Sequence, residues 1–197
     1  MNEAQVFALG IVLAWLAGVR AYLTVFGLGV AGYFGWVDLP GALGACTSPW
    51  VIGVSAVLTV IEFTADKIPG VDSGWDLAQT LLRVPAGAFL ASAALAGPDG
   101  ELSAGWAVAG GAAALLSHTL KSGARAVVNT SPEPVSNLAV STTEDAFALG
   151  ALGLVFAYPW LTFGVIAVGA LVIGGLMFWL GRKLFFRRKP VAARNMA

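Results

Sequence analysis

Residues 62–76 read EFTADKIPGVDSGWD, and they sit between VIGVSAVLTVI (51–61) and LLRVPAGAFLASAALAG (81–97). Four carboxylates, Glu62, Asp66, Asp72 and Asp76, and one lysine thus separate two stretches fit for lipid. This reads as a turn between two membrane helices, with more acid than a turn needs. Glu62 and Asp66 are one helical turn apart and share a face. Pro69 removes a backbone donor and Gly70 permits a turn, so the helix stops there. Asp72 or Ser73 caps the next helix by accepting from its first free N–H groups. From there Asp72, Asp76, Thr80 and Arg83 fall at steps of four, four and three, a polar stripe running into an apolar span. An ordinary capped turn accounts for Asp72 and Asp76. It does not account for Arg83, which lies inside the span with Pro85 and Gly87 beyond it.

The rest of the chain agrees with a bilayer. Of 197 residues 58% are hydrophobic and 11% charged, and the mean hydropathy is +0.82, where soluble domains carry about a quarter charged residues. A lone cysteine, Cys46, rules out an intrachain disulfide and a Cys-based metal site. The N-terminus has no basic n-region, so the first apolar segment is expected to be a retained span. The expected fold is an all-α, polytopic membrane helix bundle with broken helices. Its spans fall at about 5–33, 50–65, 76–97, 104–128, 137–157 and 160–181. The first exceeds what one crossing needs, which implies tilt, a break near Gly18, or an added interfacial piece. Trp36, Trp50, Trp75, Trp106, Trp160 and Trp179 lie near span ends as interfacial anchors do, and Trp15 alone falls mid-segment.

Residues 1–181 form a single transmembrane domain and 182–197 a basic tail holding six of the eleven Lys and Arg. Positive charge marks the cytoplasmic side, which puts the tail there, and six spans then put the N-terminus there too. The tail's basic cluster also suits anionic headgroups. Three plus three spans would make the halves inverted repeats, and GVRA at 18–21 and GARA at 123–126 are the only trace of one. Four residues with one mismatch do not exceed what chance supplies in an Ala/Gly-rich chain.

Two further constellations match the first. His118, Lys121 and Arg125 share a helix face. Lys121 and Arg125 either snorkel to the surface or turn inward, and a single His is more often a hydrogen-bonded packing residue than a metal ligand. Asn137, Ser141, Glu144 and Asp145 share a face of the fifth span, and Arg20, with Thr24 one turn on, is placed to partner an acid. Charges within a span cost about 2.5–3.5 kcal/mol each on insertion scales, so these groups are expected to face one another or water. Seven acids lie near the membrane (Glu62, Asp66, Asp72, Asp76, Glu133, Glu144, Asp145) against five bases (Arg20, Lys67, Arg83, Lys121, Arg125). If all twelve meet, the excess of carboxylate suits a bound cation or shared protons.

The chain also resembles a bacterial integral-membrane family, the domain of unknown function 4126, through GVRAYLTVFGLG, ADKIPGVDSGWD, RVPAGA and SPEPVSNLAVSTTEDA. The resemblance covers nearly everything before the tail. It implies a bacterial inner-membrane protein and assigns no activity or residue role.

The leading functional expectation is a small transporter or channel for a cation or a proton-coupled solute. Glu62, Asp66, Asp72, Asp76, Glu144 and Asp145 bind or relay the cation. Thr80, Asn137 and Ser141 supply neutral oxygens, and Arg20, Arg83 and Arg125 pair with empty carboxylates or bind an anionic substrate. Hard oxygen ligands favour Mg²⁺, Ca²⁺ or Na⁺ at Asp72, Asp76, Glu144 and Asp145. The alternatives are a metal-dependent enzyme acting on a phosphorylated lipid, in which Asp72 and Asp76 hold Mg²⁺, and a non-catalytic scaffold subunit whose polar groups fix helix packing. No G-x-S-x-G, P-loop or His cluster supports catalysis, so an enzyme is the lesser expectation. The expected partners are the bilayer, a small ion or solute and, through runs such as AGGAAALL and GALVIGG, a second copy of the chain. Nothing in the charge pattern points to nucleic acid.

Overall fold

A computed structural model describes residues 1–68, 71–128 and 134–186, with the side chains at 72, 73, 76, 77, 134, 137 and 184–186 outside that description. Every regular element described is helical. The order is α1 (Glu3–Tyr33), a 3-10 turn (Gly41–Thr47), α2 (Pro49–Ala65), α3 (Val71–Ala94), α4 (Ala104–Val128), α5 (Pro134–Ala157) and α6 (Pro159–Phe186). Local chemistry sets the starts. Asn2 and Gln5 form a reciprocal capping box at α1, with bonds of 2.9 and 3.0 Å. Proline opens α2, α5 and α6, where a missing N–H costs nothing. The last turn of α2 tightens through Lys67 N to Thr64 O and Ile68 N to Ala65 O, both 3.2 Å.

By length and composition, Glu3–Tyr33, Leu138–Ala157 and Pro159–Lys183 are long and apolar enough to cross a membrane. A fourth span is added if α2 is counted with the 3-10 turn, to which it is bent by 72°. The protein is therefore a helical membrane bundle. Its last helix is almost wholly outward-facing: 11% of its apolar window is buried, against 67% for α1.

The decisive feature is the break in α1. Arg20 leaves helical geometry, at φ −145° and ψ 78°. Both arms then lead back to one end of the bundle. A Cβ on Gly10 would touch Ala94, and one on Gly29 would touch Cys46. Gly41, in the same short turn as Cys46, lies against Ala93 and Ala94. A straight helix would hold Gly10 and Gly29 roughly 28 Å apart at 1.5 Å per residue, farther than these contacts allow. The first segment is thus two antiparallel-tending arms and not one crossing.

Two expectations change with it. Phe7 packs its ring on Trp106, Trp160 and Phe163. The N-terminus therefore sits where α4 and α6 begin, opposite the end where α6 finishes. Among the described residues seven helical arms, an odd number, put the start of α1 and the end of α6 at opposite ends of the bundle, where six would put them together. Gly18 lies on Ala114 and Ser117 of α4, so the first arm of α1 runs parallel to α4. GVRA itself straddles the break at Arg20, whereas GARA lies within the unbroken α4, so the two segments give no support to inverted halves. α6 also continues past residue 181 to Phe186, into the stretch read as tail; residues 187–197 lie outside the described residues.

The core around the first arm is apolar and closely packed: Leu9, Val12, Leu13 and Leu16 meet Leu28, Leu90, Leu152 and Val155. It fills the half of the bundle nearer the N-terminus. The polar groups fill the other half, about 10 Å in from the far end if measured by the seven residues from Pro134 to Ser141.

Candidate functional site

Around the break, four main-chain carbonyls of α1 accept from side chains, three of them on other helices. Ser117 Oγ donates to Trp15 O at 2.8 Å, Arg83 Nη1 to Gly18 O at 3.5 Å, Lys121 Nζ to Val19 O at 3.2 Å and Thr24 Oγ1 to Arg20 O at 2.8 Å. Two of these donors are cations, which the negative end of a helix dipole favours. The approach of α4 depends on Gly18: a Cβ there would stand 1.8 Å from Ser117 Oγ and 2.2 Å from Ala114 O. The cations around the break are answered by Glu62 and Asp66 at the end of α2 and by Glu144 and Asp145 of α5, and these form two clusters.

The larger cluster centres on Arg20. Its guanidinium pairs with Asp66 of α2 and, through Nη2, with Asp145 Oδ1 of α5 at 2.8 Å, Glu144 Oε2 at 3.5 Å and the carbonyl of Ser141 at 3.3 Å. Lys121 Nζ lies 3.2 Å from Asp66 Oδ2 and 3.7 Å from Glu144 Oε2. Arg125 grips Glu144 with two bonds, Nε to Oε1 at 3.2 Å and Nη2 to Oε2 at 2.7 Å, and donates Nη1 to the Asp66 carbonyl at 3.0 Å. Lys67 completes the edge, 3.1 Å from Asp145 Oδ2 with its ammonium over the Phe63 ring.

The smaller cluster centres on Arg83. Nη2 donates to Glu62 Oε1 at 2.8 Å, Nε to Gln79 Oε1 at 2.7 Å, and Nη1 to His118 Nδ1 at 2.8 Å. The other imidazole nitrogen, Nε2, is 2.7 Å from Thr80 Oγ1. Both Arg83 and Glu62 are fully enclosed, with side-chain exposures of 0% and 1%. Glu62 and Asp66, one turn apart on α2, tie the clusters together. A small cavity of about 80 Å³, apolar at its surface, is lined by Leu23, Thr59, Phe63 and Leu149 together with Arg20, Glu62 and Asp145.

Of the residues singled out in the sequence, Arg20, Asp66, Arg125, Ser141, Glu144 and Asp145 meet in one cluster and Glu62, Thr80 and Arg83 in the other. The side chains of Asp72, Asp76 and Asn137, and Glu133 as a whole, lie outside the described residues. The described members are four carboxylates and five cations, so any carboxylate excess would have to come from Asp72, Asp76 and Glu133. Among the described residues no group of three or more His, Cys, Asp or Glu is placed to hold a metal ion. Glu144 and Asp145, read as cation ligands, hold guanidinium and ammonium groups instead.

Lys121, left open between the surface and the interior in the sequence, turns inward, with a residue exposure of 6%, and sequence reading missed the parts played by Gln79 and Ser117. Gln79 stands one turn before Arg83, the spacing that would have flagged it.

A broken-helix membrane bundle with a buried ion-pair network at the break is the class that fold and site define. The chain matches the family described as Domain of unknown function (DUF4126) over residues 7–183 and belongs to it. No curated protein and no solved structure matches it significantly.

Proposed function

We propose that the protein is a small transporter of the bacterial inner membrane that couples proton movement to that of a solute, with the break in α1 as its coupling centre. One observation carries this reading. A helix is interrupted within the bundle, and the interruption is held by charged or polar side chains from α2, α3, α4 and α5. Discontinuous helices whose half-helix ends face charged groups are the usual construction of transporter sites, and charged groups at membrane depth mark ion or proton pathways. Each pair is also a latch that a proton can open, since a protonated carboxylate no longer holds a guanidinium by charge. Protonating Glu144 would release Arg125, and with it α4 from α5.

All the helices are embedded in this reading, the basic tail lies in the cytoplasm, and the N-terminus lies on the opposite side. The apolar outer face of α6 meets lipid or a second copy of the chain. A proton suits the site better than Mg²⁺, Ca²⁺ or Na⁺, because the described acids of the larger cluster are already neutralised by fixed cations.

The test is flux into proteoliposomes carrying a pH-sensitive dye, under a pH gradient and with a panel of small solutes. Wild-type protein should show solute-dependent proton movement, and Glu144→Gln or Asp76→Asn should abolish it in protein that remains folded. Normal flux in both variants would remove the network from the mechanism.

A scaffold role is the second reading. It is favoured by the finding that all four described carboxylates have cationic partners, and it predicts altered thermal stability in those variants with no flux in any form. A phosphorylated-lipid enzyme would rest on Asp72 and Asp76 and would show metal-dependent turnover.

A further inference from the structure

The smaller cluster carries a consequence of its own. Arginine has donors only and keeps its proton at any accessible pH. A guanidinium nitrogen 2.8 Å from His118 Nδ1 therefore requires a lone pair on Nδ1. The imidazole must be neutral, with its hydrogen on Nε2 directed at Thr80 Oγ1, 2.7 Å away. His118 is the only histidine in the chain and is buried. It cannot take a proton on Nδ1 unless Arg83 first swings away from it.

Glu62 is under no such restriction. Its Oε1 accepts from Arg83, while its buried Oε2 finds no hydrogen-bond partner among the described residues. A proton can bind Oε2 with no other bond breaking. Charged groups act on Glu62 from several sides: Arg20 of α1, Asp66 one turn along α2, Arg83 of α3 and Lys121 of α4. Asp145 of α5 lines the same cavity, and Tyr22 of α1 lies within its field. His118 meets Arg83 and Thr80, with Lys121 one turn further along α4.

We infer that Glu62 is the proton-loading group of this bundle and that Arg83, locked onto neutral His118, keeps the imidazole from competing for the proton. The step is the binding of one proton to Glu62 Oε2, giving a neutral carboxylic acid. Arg83 then loses its ionic hold on α2, keeping only a neutral hydrogen bond to Oε1, and stays held by His118, Gln79 and the Gly18 carbonyl, so that the tie between α2 and α3 is weakened. This deepens the transporter reading and rests on it for the proton's destination, but the binding of the proton is measured without transport.

Two spectroscopic measurements on full-length protein in lipid nanodiscs test it. Nitrogen NMR of the single histidine should show the neutral, Nε2-protonated tautomer as pH is lowered to about 5, below the ordinary imidazole pKa of about 6.5. Infrared difference spectra over the same titration should gain a protonated-carboxyl band that Glu62→Gln removes. Arg83→Lys should make His118 titrate. If that variant does not fold, the wild-type and Glu62→Gln spectra decide alone.

The inference is overturned if wild-type His118 becomes imidazolium in mild acid, or if the carboxyl band survives in Glu62→Gln. If wild-type liposomes show no flux while both spectroscopic results hold, the transport reading fails and the proton site stands. If flux is proton-coupled and unchanged in Glu62→Gln, the reverse is true.

Discussion

At the scale of single residues, the site is governed by the energetics of charge away from water. Arg83 and Glu62 are both buried, and neither is tolerable alone. Removing one partner leaves an uncompensated charge, which costs about 3–5 kcal/mol, whereas replacing both by neutral groups of similar size is close to neutral. Arg83→Met should accordingly lower the unfolding midpoint of the purified protein sharply, and Arg83→Met with Glu62→Gln should recover most of the loss. Equal damage from the single and double variants, in thermal melts followed by circular dichroism, would show that the pair is not energetically coupled. Arg125 and Glu144 differ in degree. Glu144 is the more exposed of the two, at 15% of its side chain, so Glu144→Gln should be milder for stability than Arg83→Met while still affecting flux.

At the scale of elements, α1 folds back because its first arm ends in carbonyls that α3 and α4 can reach, and α4 can reach them because Gly18 has no side chain. Gly18→Ala would drive a methyl group into Ser117 and Ala114 and must push α4 away, loosening the bonds to Trp15 and Val19. We expect a clear loss of thermal stability and of folded yield. A Cβ at Gly175 on α6 would meet nothing within 4 Å, so Gly175→Ala should leave both unchanged. That contrast separates a required close approach from a general sensitivity of membrane helices to bulk. Thr24→Val, which removes the donor to the Arg20 carbonyl, should cost about 1 kcal/mol, the usual worth of one hydrogen bond.

At the scale of the whole molecule, the fold-back places the start of α1 and the end of α6 at opposite ends of the bundle, and the transporter reading then predicts that they face opposite sides of the membrane. With Cys46 replaced by serine, single cysteines placed at Asn2 and at Lys183 should react with an impermeant thiol reagent from opposite sides of a sealed membrane. Labelling from one side would restore an even number of crossings and contradict the doubling of α1. The same arrangement divides the bundle along its length. One half is apolar core and the other carries the polar groups, so the network lies nearer the ends of α2, α4 and α6.

The sequence determined the class and much of the membership of the site. Its composition, apolar runs and near-terminal tryptophans are bulk properties that a bilayer reads directly. The charges at helical spacing were expected to face one another or water, so periodicity marked Arg20, Asp66, Arg125, Ser141, Glu144 and Asp145 as candidates, but their meeting in one cluster is seen only in the structure. The break at Arg20 was not legible to the residue, because no proline marks it and both arms are uniformly apolar. At the break, main-chain carbonyls accept from Arg83, Ser117 and Lys121, side chains 65 to 102 residues away in the sequence. The tertiary structure likewise decided which acid meets which base, separating the Glu62–Arg83–His118 group from the Arg20 cluster, and turned Lys121 inward. Periodicity fixes which face of a helix a residue occupies, but a charge pair depends on the depth and azimuth at which two helices meet, and only packing sets those.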